Sequence, residues 1–122
     1  MILGIIGADS FSNYQLFENR LLFYFTFDKE GDNSVVNSIK CGGSRSTKQF
    51  TEEFSEKYNI DVDYYRPEYD KYGKKRALIV LNELVVLASD VLITFWDGEC
   101  KRTRNAILIA RKVMKETVII YI

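Results

Sequence analysis

Val91–Trp96 is an uninterrupted hydrophobic run that stops at Asp97-Gly98, and a further apolar helical stretch follows from Thr103. Continuous apolar runs of this length suit strands covered on both faces, as in a parallel sheet. A buried strand that ends in a polar, glycine-containing loop and re-enters a helix is how open α/β sheets build ligand sites. This stretch therefore restricts the chain to α/β architecture and points to a small phosphate-bearing ligand.

The same alternation recurs along the chain. Ile2–Ile6 reads as a buried strand ending at Gly7, and Asp9, Ser10, Ser12 and Asn13 form a turn with helix-capping chemistry. From Tyr14, Phe17, Leu21 and Phe25 recur at helical spacing, before a charged loop at Asp28–Asn33. Val35–Cys41 reads as a second strand closed by Gly42-Gly43. The next helix carries Phe50, Phe54 and Tyr58 four apart and ends at Asn59. Ile60–Tyr65 reads as a strand near an edge, stopped by Pro67. Glu68–Lys75 is expected to be a loop, Leu78–Ala88 a helix apolar almost all round, and Asp97–Arg102 a loop. Thr103–Lys115 is expected to be a helix with Ile107, Ala110, Val113 and Met114 inward, and Thr117–Ile122 a last apolar strand. Strands alternating with helices imply right-handed crossovers. The expected fold is one Rossmann-like α/β domain, 1–122, with a mostly parallel sheet of about five strands and helices on both faces.

Composition narrows the chemistry. At 122 residues the chain suits one domain. Lys+Arg and Asp+Glu are 17 each, without the basic excess expected of a nucleic-acid binder. There is no histidine, which removes the commonest general base and metal ligand. Two well-separated cysteines leave no zinc set and no disulfide scaffold, and fit a reducing cytoplasm. No apolar run approaches the roughly 20 residues of a membrane span, and no secretory signal is visible at Met1. No cofactor and no metal are expected.

Three loops converge at the carboxyl ends of the strands: Gly7–Asn13, Gly42–Thr47 and Asp97–Thr103. In the second, Gly42 and Gly43 would let the backbone approach an anion. The helix start adds free N–H groups; Ser44, Ser46 and Thr47 add hydroxyls, and Arg45 a charged fork. The plainer reading is a tight strand-to-helix turn with a hydroxyl cap. The P-loop pattern is absent. Asp97 could accept from ribose hydroxyls with Trp96 packed beneath, or could simply make an Asp-Gly turn. Thr103 reads as a helix cap that could also hold phosphate. Asn82, inside an apolar helix, needs partners: a ligand, a loop or the backbone. Lys74, Lys75 and Arg76 read as a solvated face. Glu52 and Glu53 would be the acid/base pair of a glycosidic cleavage, or favourable charges in an early helical turn.

Four segments carry a family resemblance: GADSFSNY at Gly7–Tyr14, GGSRSTK at Gly42–Lys48, YGKKRALIVLN at Tyr72–Asn82 and FWDGECKRT at Phe95–Thr103. In order and spacing they resemble the YspA-type branch of the SLOG superfamily, with its GSRxFxxY, GGAxGAD, YGKxAxxxRN and FWDGxSxGT segments. That group is Rossmann-like and includes nucleotide hydrolases and ligand-sensing domains of bacterial immunity. Here Ala8-Asp9 replaces Ser-Arg, Ser46-Thr47-Lys48 replaces Gly-Ala-Asp, Leu81 replaces the Arg before Asn, and Arg102 replaces the Gly before Thr. The hydrolase motif PGGxGTxxE is missing. The resemblance implies a ligand of the NAD, ADP-ribose or cyclic-nucleotide class, with a site rebuilt for a different member of it. The ligand-binding candidates are Gly7, Ala8, Asp9, Ser10, Gly42, Gly43, Ser44, Arg45, Ser46, Thr47, Lys48, Asn82, Trp96, Asp97, Gly98, Arg102 and Thr103; none is assigned a catalytic role.

The expected function is non-catalytic binding, as a sensor or as a sponge sequestering a signalling nucleotide, a role suited to a phage-encoded counter to host defence. The alternatives are a hydrolase of an N-glycosidic or phosphoester bond using Glu52, Glu53 or Asp97, and an interaction module with a vestigial site. A homodimer or higher homo-oligomer, built on Leu78–Ala88 or Tyr14–Phe27, is compatible with all three.

Overall fold

The structure is a computed structural model that describes residues 1–25, 36 and 38–122. The expected loop Asp28–Asn33 lies outside the described residues, as do Val35 and Asn37 of the expected second strand. In chain order the elements are β1 (Ile2–Gly7), α1 (Tyr14–Leu22), β2 (Ser38–Cys41), α2 (Arg45–Tyr58), β3 (Val62–Tyr64), α3 (Tyr69–Tyr72), α4 (Lys74–Ala88), β4 (Val91–Trp96), α5 (Lys101–Lys112) and β5 (Glu116–Tyr121).

The five strands form one all-parallel sheet in the order β3-β2-β1-β4-β5. The chain runs outward from β1 through β2 to β3, then returns to the other side of β1 as β4. Strand periodicity divides the core between the two faces. Leu3, Ile5, Ile93 and Phe95 meet Phe11, Phe17, Leu21 and Phe54 beneath α1 and α2. Ile6 and Leu92 meet Leu81, Val85, Ala106 and Ala110 beneath α4 and α5. The first face is strongly aromatic: Phe11 stacks on Phe95 at 4.7 Å and meets Phe50 edge-on at 5.3 Å.

Local chemistry sets the ends of the elements. Asn13 caps α1 by accepting from the Leu16 N–H, and Asn59 closes α2 in the left-handed region at φ 54°. The expected loop Glu68–Lys75 instead holds the single turn α3 and the start of α4, with Gly73 at φ 79° joining them. α4 begins earlier because Ala77 is buried and anchors its first turn. α5 starts at Lys101, not Thr103, and stops at Lys112. Met114 turns left-handed at φ 59°. The helical phase therefore does not reach Val113 and Met114, which are 43% and 92% exposed and do not face inward as expected. Nor is α4 covered all round, since Leu84 and Leu87 are 50% and 63% exposed. No helix among the described residues is long and apolar enough to cross a membrane.

Candidate functional site

The strand order changes direction between β1 and β4, so the loops after these strands diverge to opposite faces at their carboxyl ends. In open α/β sheets a crevice forms there. The Ala8 N–H donates to the Phe95 carbonyl at 3.0 Å, extending β1–β4 pairing to the crevice floor. On the α1 side lies a cleft of about 410 Å³, lined by Ser10, Phe11, Ser12, Asn13, Leu16, Asp97 and Ile122.

The first and second loops are brought together and packed tightly. The Ser44 N–H donates to the Gly7 carbonyl, and the Ser46 hydroxyl to the carbonyls of Ala8 and Asp9. A Cβ at Gly7 would lie 2.3 Å from Thr47 Oγ1. At Gly43 it would lie 2.9 Å from the Gly7 nitrogen, and at Gly42 2.6 Å from Val85 Cγ2. These glycines let two loops and α4 meet. Ser44 is the N-cap of α2, accepting from the Thr47 N–H, and both side chains are buried. Arg45, Asp9 and Ser10 face solvent at the crevice, with Gly43 and Ser46 half-buried. Lys48 turns toward the β3 side, its ammonium 5.7 Å from the Tyr64 ring centre.

Asp97 closes the third loop upon itself. One carboxylate oxygen accepts from the N–H groups of Glu99 and Cys100, each at 2.8 Å; the other accepts from the Ser10 hydroxyl at 2.8 Å. The Cys100 and Glu99 amides, then the Ser10 hydroxyl, hold its carboxyl below the usual aspartate range. Gly98 supplies the positive φ, 86°, that this tight loop requires. Trp96 donates to the Cys100 carbonyl and packs near Tyr121, and buried Thr103 donates to Cys100 Sγ.

Asn82 and Arg102 meet on the opposite face. The Asn82 amide, 2% exposed, donates to the Arg102 carbonyl at 2.9 Å and to Asn105 Oδ1 at 3.0 Å, joining α4 to the first turns of α5. Beside it lies a cleft of about 290 Å³, lined by Lys75, Leu78, Ile79, Asn82, Lys101, Arg102 and Asn105. Sequence reading places Lys75 on a solvated face and passes over Leu78, Ile79, Lys101 and Asn105 as site residues, although Lys75-Leu78-Ile79-Asn82 and Lys101/Arg102-Asn105 have the spacing of single helix faces. The cleft has an apolar floor, three cations and no acid.

The electrostatics of this edge run against ordinary helix chemistry. A parallel sheet aims the amino ends of its crossover helices at one rim. The first four residues of α2, α4 and α5 contain Arg45 and Lys48; Lys74, Lys75 and Arg76; and Lys101, Arg102 and Arg104, and no acid. Each cation there opposes the helix dipole by about 0.3–1 kcal/mol before screening, an unfavourable term that an anion would reverse.

The candidate acid/base groups lie elsewhere. Glu52 and Glu53 are exposed in the middle of α2, and neither lines these two clefts. Burial pushes the Cys41 thiol up, away from the reactive thiolate. Tyr14 and Lys57 both donate to Glu18, tying α1 to α2. Compared with protein-family models, curated proteins and solved structures, the chain finds no match.

Proposed function

We infer that this chain binds a nucleotide-derived small molecule at the carboxyl rim of its sheet and returns it unchanged, as a sensor or a sponge for a signalling nucleotide. The carrying observation is the α4–α5 cleft, where Leu78 and Ile79 offer an apolar floor and Lys75, Lys101 and Arg102 a cationic rim. That pairing suits a ligand with a flat, poorly solvated base and negatively charged phosphates. Binding without turnover is favoured by the state of the acids: Asp97 is engaged by three donors, and Glu52 and Glu53 sit away from the clefts. Membership of the SLOG superfamily and a counter-defence role, set in the cytoplasm, belong to the same reading. So does a homodimer built on the exposed Leu84 and Leu87 of α4.

Mass spectrometry of small molecules released on denaturation, with thermal-shift tests of NAD, ADP-ribose, cyclic ADP-ribose isomers and cyclic oligonucleotides, tests this. The expected result is an intact nucleotide derivative. It should stabilise the protein by about 2.7 kcal/mol at a hundredfold excess over its dissociation constant, and that gain should vanish in Lys101→Glu/Arg102→Glu. Cleaved products would instead identify a hydrolase, and no shift with any probe would refute the binding reading.

A further inference from the structure

The two edges of the sheet differ. β3 has three residues, carries the Lys40–Asp63 ion pair at its junction with β2, and is followed by Pro67. Short strands, charges and proline are how natural edges are guarded. β5 has six residues, one ionised side chain (Glu116) and no proline, and no described strand pairs on its outer side. The Ile122 N–H donates inward to the Trp96 carbonyl at 3.0 Å. Strand alternation then points the N–H and C=O groups of Thr117, Ile119 and Tyr121 outward. Tyr121 and Ile122 at the end of the strand, and Leu108 on α5, are exposed apolar residues.

The shoulders of this edge are basic. Asn105 and Arg102 of α5 face α4, and Thr103, Ala106 and Ala110 face the sheet. Helical geometry puts exposed Arg104 and Arg111 on the remaining flank, over β5. On the other face, α1 presents exposed Arg20 one turn after Leu16, which lines a cleft with Ile122. Glu116 at the start of the strand, and Asp97 and Glu99 beyond its far end, are the acids nearby.

We propose that β5 is a docking edge for an extended segment of another protein, alternating apolar and acidic residues, that adds to the sheet as a sixth strand. Main-chain hydrogen bonds to Thr117, Ile119 and Tyr121 hold it; its carboxylates, all on one face of the added strand, meet Arg104 and Arg111, and its apolar side chains, on the other face, pack beside Val118 and Ile122. A second copy would bring the same arginines against themselves, so charge favours a different, acidic chain.

The probes are two capped heptapeptides alternating valine with glutamate or with lysine, titrated by fluorescence anisotropy. The glutamate peptide should bind at least tenfold more tightly than the lysine peptide. Ile119→Pro, which removes an outward N–H and leaves the β4 ladder intact, should abolish binding while circular dichroism stays native. Arg104→Glu/Arg111→Glu, altered only at exposed positions, should reverse the preference between peptides. Failure of both peptides to bind, or equal binding of both, would overturn the proposal. So would a dimer of the protein that Ile119→Pro makes monomeric, since the edge would then belong to a second copy.

Discussion

Gly7 and Thr47 lie forty residues apart and fit only as a pair, because the hydroxyl of a fully buried threonine occupies the space where a Cβ at Gly7 would stand. Gly7→Ala is expected to destabilise the protein by about 1–3 kcal/mol, the usual cost of overpacking a rigid core. In a Thr47→Ala background much of that cost should disappear. Urea unfolding of the four proteins forms the cycle, and an equal cost in both backgrounds would show that the contact is not what forbids the side chain. The sequence made such glycines visible and left their purpose open. Gly-Gly before Ser-Arg-Ser-Thr reads equally as a phosphate cradle or as a turn needing room, and only neighbours distant in sequence, such as Leu81 and Val85, reveal the space they fill. Asp97 was legible to a similar degree: its turn chemistry could be read locally, but its bond to Ser10, 87 residues away, could not.

At the scale of elements, helix and strand type followed from periodicity, while boundaries were lost where capping signals were weak. α2 shows Ser44 before it and Asn59 after it, and its ends were read correctly. α5 begins after Cys100, which makes no side-chain cap bond, and ends without a glycine, so both its ends were misplaced. That missing glycine is a defect that can be repaired. Met114 occupies the left-handed region with an almost fully exposed side chain, at a cost of about 1 kcal/mol for a residue other than glycine or asparagine. Met114→Gly should therefore raise stability by several tenths of a kcal/mol, after allowance for the greater entropy of the unfolded chain. Chemical denaturation midpoints would detect this, and a lower midpoint would mean that Met114 makes contacts worth more than its strain.

At the scale of the whole molecule, parallel topology was readable because strands and helices alternate without a break. The clustering of cations at one rim was not, because it arises only when separate helix starts are aligned by the sheet. The exposed stripe of α4 bears on assembly. If Leu84 and Leu87 join two copies, sedimentation should give a two-chain mass that Leu84→Glu/Leu87→Glu halves, and a wild-type monomer at all concentrations would exclude that interface. The strand order also governs when the molecule can exist at all. β1 is synthesised first yet lies at the centre of the sheet, and its neighbour β4 begins only at Val91. Until that strand and α5 leave the ribosome, Ile6 and the inner face of α4 lack half their cover. The emerging chain should therefore fold late and almost at once, with β1 exposed to chaperones until β4 and α5 have emerged.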